Sequence, residues 1–181
     1  MIDNIINKYD KIFIDTSSFL IHKENIHGSW EKNFNLNLDP LLTGSLQEEF
    51  FINTFKKIIM RSNKKISIPY EVIKELEKFE YKNKKKSSNA LKILNNYKES
   101  NLLDIFKGEN YPFTDNIFIT IMFRYMTKYN ICLITQDYKL GRDVSRITNF
   151  ECIDYKKNID AYAIGYRDNN FTLNSIKAKK H

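Results

Sequence analysis

The stretch Lys11-Ile-Phe-Ile-Asp-Thr-Ser-Ser18 decides the fold class of this chain. Its β-branched and aromatic residues predict a short buried strand, and Asp15 with the hydroxyl residues after it predicts the turn that ends the strand. Lys65-Ile-Ser-Ile-Pro69 predicts a second strand, and Pro69 then opens a helix through about residue 82. Strands that feed directly into helices are typical of α/β folds.

The alternation of strands and helices continues along the chain. Further strands are expected over 131–135 and 150–154, and further helices over about 45–61, 89–98, 115–128 and 140–145. A capping box formed by Ser45 and Glu48 begins the first of these helices, and Thr114 is placed to cap the third. We therefore expect a three-layer α/β/α sandwich with a central parallel sheet.

The 181 residues are expected to form one main domain, residues 1–155, and a C-terminal extension, residues 156–181. Residues 22–44 are polar and irregular, which indicates an insertion. In the extension, bulky residues alternate over 162–166 and 171–173 around the turn Asp168-Asn-Asn170, which predicts a hairpin before a basic tail. Its aromatic residues favour packing on the core or on a second copy of the chain as a homodimer.

Composition narrows the classes of function. The chain is 42% hydrophobic and 28% charged, which excludes wholesale disorder. Its net charge of +7 favours an anionic partner, although a lysine-rich composition alone gives the same value. Cys132 and Cys152 lie in apolar stretches and are expected as reduced core residues. The most apolar segment, 117–126, is too short to span a bilayer, so we expect a cytoplasmic protein with no membrane partner.

Four acidic residues are placed where an α/β fold forms its ligand sites. Asp15 and Asp137 each follow a predicted strand, and the carboxyl ends of parallel strands share one edge of the sheet. Glu75 lies within about 60° of the apolar stripe of its helix, where Val72, Leu76 and Phe79 are expected in the core while Glu71, Lys74 and Lys78 face away. Asp115 lies in the first turn of the helix that follows Thr114.

Carboxylates gathered in one cleft repel each other unless a cation compensates them. Mg²⁺ or Mn²⁺ takes carboxylate and water ligands and leaves positions open for a substrate phosphate, so both are candidate cofactors. Each acid also has a plain structural interpretation: Asp15 as a turn former, Asp115 as a helix-start charge, Glu75 as a surface acid and Asp137 as the cap of the next helix.

The chain resembles the PIN-domain family of metal-dependent ribonucleases. The resemblance covers roughly residues 11–155 and rests on four stretches: Ile12-Phe-Ile-Asp-Thr-Ser-Ser18, Ile68-Pro-Tyr-Glu-Val-Ile-Lys-Glu-Leu76, Thr114-Asp-Asn-Ile117, and Leu133-Ile-Thr-Gln-Asp137 with Leu140. It implies that Asp15, Glu75, Asp115 and Asp137 form the catalytic and metal site. It also implies that Thr16, Ser17 and Thr135 support that site or contact the substrate.

The resemblance implies an endoribonuclease with an RNA substrate. Many members of the family are toxins, so an antitoxin protein is an implied partner. A non-catalytic RNA-binding module and an RNA-processing or DNA-directed nuclease of the same fold stay open as alternatives. A dehalogenase-type phosphatase is disfavoured because Ser17 stands where its second acid is required, and no P-loop motif is present.

A run of lysines is a second candidate nucleic-acid contact. Lys82, Lys84, Lys85 and Lys86 fall in a stretch that we expect as a solvated basic loop. Such a run is about as often a plain solvated segment as a phosphate contact.

Overall fold

The computed structural model describes residues 2–21, 46–80, 84–107, 114–147, 157–167 and 170–178. The helical elements in these ranges are α1 (Ile2–Ile6), α2 (Thr16–Phe19), α3 (Leu46–Glu48), a π-helix (Glu49–Phe55), α4 (Lys56–Arg61), α5 (Tyr70–Glu80), α6 (Lys84–Glu99), α7 (Thr114–Tyr125) and α8 (Tyr138–Ile147). The strands are β1 (Lys11–Ile14), β2 (Ile66–Pro69), β3 (Leu103–Phe106), β4 (Ile131–Ile134), β5 (Ile159–Arg167) and β6 (Asn170–Ile176).

The six strands form one sheet in the order β3-β2-β1-β4-β5-β6. Every neighbouring pair is parallel except β5 and β6, which are antiparallel. Helices follow β1, β2, β3 and β4, so the α/β class is confirmed, and the arrangement is consistent with three layers. The carboxyl ends of β1 and β4, the two central strands, lie side by side, and their register aligns Ile14 with Ile134.

The core fills both sides of this sheet. Phe13 projects from β1 and meets Phe106 of β3 and Phe118 of α7 edge to face. Its neighbours along β1, Ile12 and Ile14, are fully buried on the opposite side because side chains alternate along a strand. Among these strands, β2 and β4 are buried along their whole length, as expected for strands covered on both faces.

Several predicted elements are confirmed with shifts of a few residues at their ends. These are β1, β2 and β4, and the helices that begin at Tyr70, Thr114 and Tyr138. The helix predicted over about 45–61 is helical from Leu46 to Arg61, but its middle part, Glu49–Phe55, is a π-helix. The predicted strand 150–154, Cys152, Ser45 of the capping box and the insertion 22–44 lie outside the described residues. Cys132 is buried and reduced as expected, and burial raises the pKa of its thiol.

Other predictions are wrong. The expected basic loop is helical from Lys84, because the residues that face the core, starting with Ser87 and Ala90, already follow the helical period. The short strand β3 was not predicted, since its side chains are mostly exposed and carry no alternation of burial. Helix α7 is not buried on most sides, because Phe123 and Tyr125 are exposed.

The predicted hairpin is confirmed and joins the main sheet. Strand β5 pairs with β4, so the hairpin continues the sheet formed by the earlier strands. Phe171 of β6 meets Phe50 of the π-helix with ring centroids 5.2 Å apart, and Ile176 is buried against Gly141 of α8. The hairpin's apolar residues thus pack on the core of their own chain, while a homodimer stays a prediction.

Across the ranges that the structure describes, none of the helices combines the length and the apolar character needed to cross a lipid bilayer.

Candidate functional site

The four acids singled out from the sequence line one cleft of about 580 Å³ at the carboxyl edge of the sheet. Asp15 ends β1, Asp137 follows β4, Glu75 comes from α5 and Asp115 from the first turn of α7. Thr16, Ser17, Leu20, Lys78 and Phe79 complete the lining. Four segments that are far apart in the chain therefore meet at one place, as the strand–helix alternation predicts.

Asp15 is held rigidly through one of its two oxygens. Its side chain is only 5% exposed, and Oδ2 accepts hydrogen bonds from the Ser17 hydroxyl at 2.5 Å, the Thr135 hydroxyl at 3.0 Å and the Ser17 amide at 3.3 Å. The hydrogen bond from the Ser17 amide makes Asp15 the N-cap of α2, so the interpretation of Asp15 as a turn former is confirmed. Within the described part of the chain, Oδ1 accepts no hydrogen bond and is free to bind a ligand.

The hydroxyl residues bind the ends of β1 and β4 together. The Ser17 hydroxyl accepts a hydrogen bond from the Gln136 amide at 2.9 Å and lies 3.2 Å from the Thr135 hydroxyl. The Thr135 hydroxyl in turn accepts from the Asp137 amide at 3.0 Å. A continuous set of hydrogen bonds thus fixes Asp15 relative to Asp137, and Ser17 and Thr135 are its central members.

Glu75 cross-links three helices. Its Oε2 accepts from the Thr16 hydroxyl of α2, and its Oε1 accepts from the Thr114 hydroxyl of α7, both at 2.5 Å. Thr114 was predicted to cap α7, but its hydroxyl serves Glu75 instead. Because both carboxylate oxygens are engaged by threonines, Glu75 is built to position its neighbours more than to bind a ligand directly.

Asp137 has both of the roles that its position allows. Its Oδ1 accepts hydrogen bonds from the amides of Lys139 at 2.7 Å and Leu140 at 3.1 Å, which caps the N-terminus of α8. The interpretation of Asp137 as the cap of the next helix is therefore confirmed. The same side chain lines the cleft, and its Oδ2 accepts no hydrogen bond from the described residues.

The acids interact electrostatically. Partial burial raises the pKa of Asp115, and repulsion from Asp137 and Glu75 raises it further, against the opposing effect of Lys139. Burial also raises the pKa of Asp15. The hydrogen bonds that Asp15 accepts from Ser17 and Thr135 lower this pKa, and the negative charge of Asp115 raises it slightly. A bound cation would relieve this repulsion, which is the situation expected of a metal site.

The donor set fits a hard divalent cation held partly through water. Among the described residues, no group of three or more His, Cys, Asp or Glu side chains is arranged to hold a metal ion directly. Mg²⁺ does not need such a group, since it keeps several waters and usually takes only one or two carboxylates. Asp15 can supply one of these carboxylates through its Oδ1, and Asp115 or Asp137 can supply the second.

Two lining residues were assigned to the wrong surroundings from the sequence. Phe79 was expected in the core, but its side chain is 41% exposed at the cleft. Lys78 was expected on the far side of its helix, but it also lines the cleft. Both lie near the C-terminal end of α5, where Glu77, Lys78 and Phe79 are all exposed, so the apolar stripe formed by Val72 and Leu76 does not continue into the core there.

The described side chains of the predicted lysine run lie away from the cleft. Lys85 is exposed and Lys86 half-buried on the first turn of α6, and neither lines the cleft. Lys82 and the side chain of Lys84 lie outside the described residues.

The fold and the cleft define a class: an α/β protein with an acidic site at the carboxyl edge of a mostly parallel sheet. No protein-family model, no curated protein and no solved structure matches the chain.

Proposed function

We propose that this protein is a PIN-like, Mg²⁺- or Mn²⁺-dependent endoribonuclease. The observation that carries the proposal is the convergence of Asp15, Glu75, Asp115 and Asp137 on one cleft, from four segments whose order matches the PIN-domain motifs. A structural interpretation accounts for Asp137 as a cap and for Asp15 as a turn former, but neither role uses the second oxygen of the carboxylate, which accepts no hydrogen bond from the described residues.

The residues divide into two roles. Asp15, Asp115 and Asp137 would hold the cation, since each offers an oxygen that accepts no hydrogen bond from the described residues. Glu75 would fix the relative positions of α2, α5 and α7 through its two threonine bonds. When bound, the cation would acidify a water molecule and stabilise charge on the phosphate and leaving oxygen.

The surroundings of the acids favour a polynucleotide substrate. A positively charged protein attracts a polyanion, and a phosphate tolerates an acidic cleft when a cation bridges the two. Lys78 lines the cleft beside the acids and can contact a neighbouring phosphate. Phe79 exposes an aromatic face there, and an exposed ring next to a phosphate-binding site suits stacking against an unpaired base.

The test is cleavage of a labelled single-stranded RNA with Mg²⁺ or Mn²⁺, with and without EDTA. We expect Asp15→Asn to reduce cleavage by about 100-fold or more, by analogy with losses at metal sites. Glu77→Gln is the matched control, because Glu77 is exposed on the same helix as Glu75 and does not line the cleft. Cleavage that survives both EDTA and Asp15→Asn would rule out the mechanism.

A non-catalytic RNA-binding module is the second candidate. The observation that favours it is that, among the described residues, no group of three or more acids is arranged to hold an ion directly. Salt-sensitive RNA binding with no cleavage under any divalent cation would establish this alternative. Cleavage of DNA in preference to RNA would instead indicate a DNA-directed nuclease.

A toxin-type role with an antitoxin partner belongs to the first proposal. Expression of the chain would then arrest growth, and Asp15→Asn would relieve the arrest. Normal growth with an active, RNA-cleaving protein would favour an RNA-processing enzyme.

A further inference from the structure

We infer that a second cavity, separate from the acidic cleft, is a binding site for a small aromatic anion. The cavity has a volume of about 280 Å³ and lies between α7 and the face of β1, β2 and β3 that carries Phe13. Its described lining shares no residue with the cleft. The volume is at the low end of ligand pockets, so a single small ring system is the size that fits.

The walls are suited to a flat apolar group. Phe13 and Phe106 meet edge to face with ring centroids 5.9 Å apart, and both line the cavity. Ile117 and Ile121 of α7 line it from the helical side. Planar rings pack well between aromatic edges and aliphatic side chains, because both contacts remove apolar surface from water.

A hydroxyl group that faces the cavity gives a ligand one polar contact. Ser67 is only 4% exposed and lines the cavity from the middle of β2. Its hydroxyl makes no hydrogen bond with any described residue, and the oxygen is accessible from the cavity, where water or a ligand can bind it. A ligand with a hydrogen-bonding group on its ring would satisfy this hydroxyl.

The charges around the cavity select an anion. Lys11, Lys107 and Arg124 all line it, against one acidic residue, Asp104, among the described lining. The Lys11 ammonium lies over the ring of Tyr129, 5.6 Å from its centroid, so one wall already shows how a cation is held against an aromatic face here. This balance disfavours a metal ion or a cationic ligand and favours a ring that carries a carboxylate or a phosphate.

Titration calorimetry with the full chain tests the inference. The probes are uridine 5′-monophosphate and benzoate, with uridine and benzamide as their neutral counterparts. We expect at least one anionic probe to bind with Kd below about 1 mM and more tightly than its neutral counterpart. Tighter binding of the nucleotide would identify nucleotides as the ligand source, and tighter binding of benzoate would identify aromatic carboxylates.

Variants locate the site. Ser67→Ala should weaken binding by up to about tenfold through loss of one hydrogen bond, and Arg124→Gln should weaken only the anionic probe. Asp115→Asn, in the cleft, should leave binding unchanged. The inference is overturned if no probe binds, if neutral and anionic probes bind equally, or if Asp115→Asn weakens binding as much as Ser67→Ala does. Thermal unfolding confirms that each variant is folded, and none of these outcomes depends on RNA cleavage.

Discussion

Replacing Glu75 by alanine removes the carboxylate that connects three helices at the cleft. The Thr16 and Thr114 hydroxyls, each bonded to one Glu75 oxygen, would lose their partner. These threonines are only 5% and 6% exposed, so water cannot fully replace the lost acceptor. The substitution should therefore destabilise the fold as well as disturb the site.

The magnitude follows from the two bonds. A hydrogen bond to a charged group contributes about 1.5–3 kcal/mol, and the half-buried position of Glu75 places both bonds at the low end, about 3 kcal/mol together. Removing the charge of Glu75 also relieves its repulsion toward Asp115, which offsets part of the loss. We expect a net loss of about 2 kcal/mol, which lowers Tm by about 4–8 °C for a domain of this size.

Thermal and urea unfolding in EDTA measure this loss. Glu77→Ala is the control for helix propensity and surface charge, since it lies on the same helix and is exposed. Glu75→Gln should lose about half as much stability, because its amide oxygen still accepts one threonine bond. If Glu75→Ala and Glu77→Ala melt within about 1 °C of each other, the cross-link contributes no stability and the positioning role of Glu75 is wrong.

Three further predictions follow from other contacts. Because the pKa of Asp115 is raised in the folded state, the folded state binds the proton of this side chain more tightly than the unfolded state does. Asp115 therefore lowers the free energy of unfolding once the pH rises above the ordinary pKa of an aspartate. Asp115→Asn in EDTA should therefore be more stable than the wild type at pH 7, by less than about 1 kcal/mol because the side chain is largely solvated, and equally stable near pH 3; urea unfolding at both values checks the sign. Gly141→Ala should lower stability by up to about 2 kcal/mol in urea unfolding, since the new methyl would lie 2.6 Å from the Ile176 Cδ1 while the better helix propensity of alanine offsets about 1 kcal/mol, and adding Ile176→Val should restore part of the loss. If Lys85 and Lys86 contact RNA, replacing both by glutamine should reduce the salt slope of binding by about 1.4, whereas an unchanged slope would exclude that contact.

Local patterns were enough to predict most of the elements. The buried strands β1, β2 and β4 stand out as short β-branched runs, and their helices follow from caps, proline and apolar spacing. Strand β3 could not be predicted in this way, because its pairing with β2 holds it in place and its mostly exposed side chains follow no pattern. The lysines at 84–86 concealed the start of α6 because charged residues are compatible with a loop or a solvated helix face.

The sequence by itself determined which acids end strands or begin helices, and therefore that Asp15, Asp115 and Asp137 share one edge of the sheet. It did not determine which of their oxygens stay free. That depends on hydrogen bonds between residues far apart in the chain: Thr135 to Asp15 across 120 positions, Thr16 to Glu75 across 59 and Thr114 to Glu75 across 39. The exposure of Phe79 and Lys78 at the cleft was likewise decided by where the core ends. Backbone preferences act between neighbours and can be read locally, whereas side-chain partners exist only after the sheet has brought distant segments together.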